Sequence, residues 1–88
     1  MSKEVVTLVT MMGEFVGRMK EEDTTHYTIT SPRMVIATEQ GAGFAPSVAM
    51  TSEASNEVIF NKALVLTVVP TAAEAEKAWI STTSGIVL

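Results

Sequence analysis

The chain has 88 residues, a formal net charge of −4 at pH 7 and no cysteine. This length allows one domain with a thin core, and such small domains often gain stability by oligomerising. The acidic balance argues against broad electrostatic binding to nucleic acid or anionic membranes, and the lack of cysteine excludes disulfides and thiolate metal sites. Charged residues make up only 18% of the chain, which favours a surface partly covered by subunit contacts.

No part of the sequence has the features of a membrane segment. The first residues, "MSKEVV", lack the apolar core of a signal peptide, and no apolar run reaches the length of a transmembrane helix. We therefore expect a cytoplasmic protein that has no membrane partner.

A β-hairpin is predicted at the N-terminus. Val5–Met11 is β-branched and extended, and Glu14–Glu22 alternates with a period of two. Met12-Gly13 suits the tight turn between them, because glycine accepts a positive φ without steric cost. Gly17 lies within the second strand on its apolar face, where glycine allows a sharp bend or the close passage of another strand.

The middle of the chain, residues 25–60, predicts one long, broken hairpin with its tip near Gly41. Ser31-Pro32 is expected to interrupt the third strand, because proline cannot donate to a β-ladder. The connection between the third and fourth strands then spans about residues 31–57. The extended segments of this hairpin are Thr25–Thr30, Met34–Thr38, Ser47–Thr51 and Val58–Phe60.

A last strand and a helix complete the predicted elements. Ala63–Val69 is almost continuously apolar, which is typical of a strand buried on both faces. The tetrapeptide "TAAE" forms a capping box, with Thr71 at the N-cap and Glu74 three residues later. Gly85 suits a C-terminal stop. These signals predict a helix over residues 71–84.

Together these elements predict a mainly β fold. Residues 1–70 are expected to form a small, strongly bent, five-stranded antiparallel sheet, and the C-terminal α-helix follows it. The glycine within the second strand gives such a sheet the corner that it needs.

Two segments resemble the motifs of the Sm, LSm and Hfq family. Val6–Ile29 is similar to the first motif, an apolar strand followed by a turn glycine, a second glycine four residues on and an acidic stretch ending in Asp. Gly13, Gly17 and Asp23 hold these three positions. Val58–Pro70 resembles the second motif, and its ending "TVVP" is close to that of Hfq.

This resemblance implies the fold and assembly of the Sm-like open barrel. Family members form rings of six or seven subunits, in which strand four of one subunit pairs with strand five of the next. Such a ring covers the strand edges that a lone open barrel exposes. A homo-oligomer, most simply a hexamer or heptamer, is therefore expected.

The resemblance also implies a site for short single-stranded RNA. The family binds a base between the loop after the motif Asp and the loop between the last two strands. His26 and Tyr27 occupy the first position and offer aromatic rings for stacking, while Asn61 and Lys62 occupy the second. The simpler alternatives are a histidine without a ligand, a packed tyrosine and a solvated lysine.

The sequence gives little reason to expect catalysis. Asp23 and His26 have no nucleophile elbow to complete a triad, and a single histidine without cysteine disfavours a catalytic metal site. The segment "GAGF" lacks the lysine of a phosphate-binding loop. We expect no cofactor and interpret Asp23 as a turn-forming residue. Two functions stay open, an Sm-like ring that binds RNA, which we prefer, and an oligomeric structural or adaptor module that binds no nucleic acid.

Overall fold

Six strands and one helix make up residues 4–83, the part of the chain that the computed structural model describes. Over these residues the fold is a mainly β, antiparallel sheet with a C-terminal helix, as predicted. A short 3₁₀ helix, Lys62–Leu64, links the last two strands, and α1 spans Ala73–Thr83. The strands are β1 Val5–Thr10, β2 Gly13–Glu22, β3 His26–Thr38, β4 Gly41–Phe44, β5 Glu57–Asn61 and β6 Val65–Pro70.

The sheet is open. Its strand order is β4-β3-β2-β1-β6, and β5 also pairs with β3, so that the first half of β3 faces β5 and its second half faces β4. The hairpin between β3 and β4 turns at Glu39 and Gln40, and Gly41 follows with a φ of 111°. Among the described strands, β5 pairs only with β3 and β6 pairs only with β1, which leaves one edge of each without a strand partner.

The pairing of β2 with β3 is irregular at Gly17, where the two strands approach closely. The register between β2 and β3 shifts here, so that Gly17 lies opposite Ser31 and Pro32. A Cβ atom at Gly17 would overlap the Cγ2 atom of Ile29 and would lie 3.1 Å from the Cα atom of Pro32. The core-face glycine is therefore required by the close passage of β3, one of the two reasons that the sequence suggested.

The third strand is continuous, so the predicted interruption at Ser31-Pro32 is wrong. Ser31 takes a positive φ of 49°, and β3 continues through it from His26 to Thr38. The Ser31 N–H donates to the Asn56 carbonyl at 2.8 Å, and Pro32 needs no partner because it has no N–H.

The β1–β2 turn consists of Met11 and Met12, one residue earlier than predicted. Gly13 already pairs with Thr10, and it has a φ of 130°. The Thr10 hydroxyl donates to the Gly13 carbonyl at 2.9 Å and accepts from the Met12 N–H at 3.1 Å. Backbone and threonine contacts therefore hold this turn.

The apolar residues form two clusters on opposite faces of β1 and β2. The larger cluster lies on the inner face of the bent sheet and contains Val6, Leu8, Phe15 and Ile29. The second lies under the helix and contains Val5, Val16 and Trp79. The Trp79 indole N–H donates to the Ser31 carbonyl at 2.9 Å, which ties α1 to β3.

Two further strand predictions differ from the structure. The segment Ala63–Val69 is not buried on both faces, because β6 is an edge strand in this chain and Leu66 is 67% exposed. The predicted strand Ser47–Thr51 is wrong, since residues 45–56 are irregular. The Ser47 carbonyl accepts from the Met34 N–H on β3 at 2.9 Å. Pro46 has no N–H to donate, and the contact with β3 does not extend into a strand.

The helix begins at Ala73, and Ala72 provides the first carbonyl of its ladder through the Glu76 N–H at 2.8 Å. The predicted cap at Thr71 is therefore wrong, and the Thr71 hydroxyl instead lies 2.9 Å from the Thr7 hydroxyl. The predicted stop at Gly85 lies outside the described residues. Between residues 4 and 83, no helix combines the length and apolar character needed to cross a membrane.

Candidate functional site

The four residues predicted to bind RNA lie together at one end of the sheet. His26 begins β3 and Asn61 ends β5, and these two residues face each other in the register. Tyr27 faces Phe60, and the Lys62 N–H donates to the Thr25 carbonyl at 2.9 Å. The pairing of β3 with β5 thus brings the two distant sequence segments side by side, and we call His26, Tyr27, Asn61 and Lys62 the polar cluster. Tyr27 also packs against the larger core cluster, on the opposite face of β3 from its neighbour His26.

Asp23 organises the turn that leads into this polar cluster. Its Oδ1 atom accepts from the N–H groups of Thr25 at 2.8 Å and His26 at 2.7 Å. These hydrogen bonds lower the pKa of Asp23 below its ordinary value, and the one from the Thr25 N–H has the largest effect. The Nδ1 atom of His26 lies 2.7 Å from the Thr25 hydroxyl. The Asp23 carboxylate therefore holds the backbone of His26 in place at the start of β3.

The lysine of the polar cluster is already paired. The Lys62 amine lies 2.7 Å from the Glu22 carboxylate and 5.0 Å from the centre of the Tyr27 ring. The hydrogen bond that the Lys62 amine donates to Glu22 raises the pKa of Lys62 above its ordinary value. The Asn61 side-chain oxygen accepts from the Ala63 N–H at 2.9 Å and caps the 3₁₀ helix. A ligand that uses Lys62 therefore competes with the Glu22 carboxylate for its amine.

Acidic side chains outnumber basic ones around this end of the sheet. The Lys20 amine forms an ion pair with Glu57, and Lys62 pairs with Glu22. The remaining carboxylates of Glu21 and Asp23 belong to the same acidic stretch of β2 and its turn. The local field therefore disfavours an approaching phosphate unless the ion pairs open.

An apolar groove lies beside the polar cluster, on the open side of the sheet. It has a volume of about 630 Å³. The rings of Phe15 and Phe60 pack edge to face in it, with centroids 5.4 Å apart. The groove continues from the larger core cluster to the surface. We define the apolar groove by six of its lining residues, Met11, Met12, Phe15, Phe60, Leu64 and Val65.

The rim of the apolar groove is unusually apolar for a surface. Met11 and Met12 are 82% and 85% exposed at the tip of the first hairpin, and Ile59 and Leu64 are exposed on the other side. Contiguous exposed apolar patches mark interaction sites in soluble proteins. Sequence reasoning missed this groove, although two methionines in a turn and the apolar run at residues 63–69 were its signals.

Within residues 4–83, no group of three or more histidine, aspartate or glutamate side chains is arranged to hold a metal ion.

A scan against models of known protein families finds no match, and a search of curated proteins finds none either. The likeness to the Sm family stays a prediction that depends on the motif residues.

Proposed function

We propose that this protein is a self-assembling structural module, in which β5 of one copy joins β6 of the next. One observation carries the proposal: each of these strands has an edge without a strand partner and bears exposed apolar side chains. Ile59 on β5 and both Leu66 and Val69 on β6 are exposed, Val69 to 40%. Exposed apolar edges attract other strands, and proteins that stay monomeric usually protect them with charges or proline.

Edge-to-edge joining satisfies two needs at once. It gives partners to the backbone N–H and C=O groups of β5 and β6, and it removes part of the exposed apolar surface of these two strands from water. Burying one large aliphatic side chain contributes roughly 1.5–3 kcal/mol. Because the two joined edges differ, the contact is head to tail, and such contacts form rings when the rotation closes. The resemblance to Sm-like proteins supports six or seven copies.

The test is the mass of the full-length protein in solution, measured by light scattering during size-exclusion chromatography. Leu66→Lys places a charge on the β6 edge, and Ala37→Lys places the same charge on the exposed β3–β4 hairpin as the matched control. We expect the wild type and Ala37→Lys to form one closed species of six or seven copies, and Leu66→Lys to dissociate. A wild type that is monomeric at tens of micromolar would overturn the proposal.

A second candidate function is binding of short single-stranded RNA, and the adjacency of the four residues in the polar cluster favours it. Stacking on one aromatic ring contributes roughly 1–3 kcal/mol per base. Several weak sites on one ring add through effective concentration. Because the Lys62–Glu22 ion pair competes with phosphate, Glu22→Gln is expected to strengthen binding while Lys62→Ala weakens it.

Fluorescence anisotropy with short poly-U, poly-A and matched DNA tests this second candidate. His26→Ala and Tyr27→Ala should weaken binding, and Lys77→Ala, an exposed helix lysine, is the control for general charge effects. If no oligonucleotide binds below about 100 μM at low salt, a range that even non-specific binders reach, the polar cluster is not an RNA site. The structural module alone then stands.

A further inference from the structure

We propose that Met11 and Met12 are an oxidation site, and that peroxide, by converting their thioethers to sulfoxides, weakens the assembly of this protein. The inference rests on the proposed function, because both joining strands line the apolar groove: β5 contributes Ile59 and Phe60, and β6 contributes Val65. A second copy that joins either edge would therefore lie against the groove and its methionines. The inference adds regulation of assembly by methionine oxidation, which the fold and the sequence motifs do not imply.

The position of these residues in the hairpin gives the first argument. Neither methionine takes a positive φ in this two-residue turn, so the backbone there requires neither the asparagine or glycine common in such turns nor methionine in particular. The turn is held by Thr10 and by the positive φ of Gly13. The two side chains are therefore not needed for the turn, and both line the apolar groove.

Exposure gives the second argument. Among the methionines in residues 4–83, Met11 and Met12 are the most exposed, whereas Met19 and Met34 pack against the larger core cluster. Met50 is also exposed, at 57%, but it does not line the apolar groove. Peroxide reaches exposed thioethers first, so the hairpin tip is oxidised before the core.

The chemical step is a two-electron oxygen transfer. The thioether sulfur attacks one oxygen of hydrogen peroxide, an S–O bond forms and the O–O bond breaks. The departing hydroxide takes the proton from the transferred oxygen and leaves as water, which gives the sulfoxide. The product is polar and strongly accepts hydrogen bonds, and burying such a group without a partner costs free energy. An assembled copy covers this surface, so oxidation proceeds through the dissociated chain and slows as protein concentration rises.

The experiment treats the full-length protein with hydrogen peroxide, locates the added oxygen by peptide mass mapping and measures assembly by light scattering. Met11→Leu/Met12→Leu keeps an apolar rim without sulfur, and Met50→Leu is the matched control. We expect peroxide to weaken assembly about tenfold or more for the wild type and Met50→Leu, a difference of about 1.4 kcal/mol or more. The double leucine variant should keep its assembly in peroxide.

A further variant separates the sulfoxide from general damage. Met11→Gln/Met12→Gln mimics the polar product and should assemble weakly without peroxide. At concentrations low enough to dissociate both proteins, it should melt at the same temperature as the wild type. If the wild type assembles and keeps its assembly after both sulfoxides are verified, the oxidation proposal is overturned and the structural module stands. Dissociation of the double leucine variant in peroxide overturns it equally. An untreated wild type that is monomeric overturns both.

Discussion

Gly17→Ala tests the close passage of β3 over β2. The new Cβ atom overlaps the Cγ2 atom of Ile29 and lies 3.1 Å from two backbone atoms, the Cα of Pro32 and the carbonyl oxygen of Thr30. Ile29 is completely buried in the larger core cluster, so its side chain has no free space to move into. The strands must therefore separate or the core must repack.

The size of the effect follows from two opposing terms. Replacing glycine by alanine stabilises a protein by roughly 0.4–1 kcal/mol when the site is compatible, because the unfolded chain loses freedom. Overpacking a well-filled core costs roughly 1–3 kcal/mol, and more when backbone atoms must move. Here both backbone contacts are tight, so we expect a net loss of about 2–3 kcal/mol. For a domain of this size that lowers the melting temperature by about 10–20 °C.

Thermal and urea unfolding at one protein concentration measure this loss, since assembly makes stability depend on concentration. Gly43→Ala is the matched control, because its Cβ would meet only the exposed Thr38 side chain, and we expect a change within about 0.5 kcal/mol. Ile29→Leu removes the Cγ2 atom at nearly constant volume, so it should offset part of the loss in the double variant. A Gly17→Ala protein that melts like the wild type would refute this reasoning.

Two further predictions concern the helix and the Asp23 turn. Trp79→Phe removes the hydrogen bond to the Ser31 carbonyl and should cost about 1–3 kcal/mol in urea unfolding; an unchanged midpoint would show that this bond does not hold α1 in place. The folded pKa of Asp23 is lowered, so its contribution to stability is present above the ordinary carboxyl pKa and is lost as pH falls through the folded value. Between pH 5 and pH 2 the wild type should therefore lose more stability than Asp23→Asn, and equal losses in unfolding midpoint would contradict this.

Local signals predicted the strands of the first hairpin and the irregular position in the second of them. Alternation located β1 and β2, and Gly17 marked the place where a strand passes too close for a Cβ atom. The same signals were wrong at Ser31-Pro32, because a proline interrupts a strand where the ladder needs an N–H donor at that position. Here Ser31 takes a positive φ, and the strand continues through Pro32.

An apolar run predicts burial but not which partner supplies it. Leu66 and Val69 belong to the run at residues 63–69, and in the single chain one face of β6 stays exposed. The sequence likewise suggested that His26 and Asn61 share a site, because the family motifs fix their strands. It did not indicate that Lys62 pairs with Glu22, because that contact depends on the register between β3 and its neighbours.

The position of β1 in the middle of the sheet determines when the protein can fold during its synthesis. Leu8 faces Phe15 on β2 and Val68 on β6, and its side chain is completely buried. During synthesis β1 is made before β6 and must therefore wait for it, and contacts between such distant residues form slowly. Until β6 emerges, the nascent chain carries an uncovered apolar strand. We expect fragments that end before Val65 to aggregate or to stay bound to chaperones.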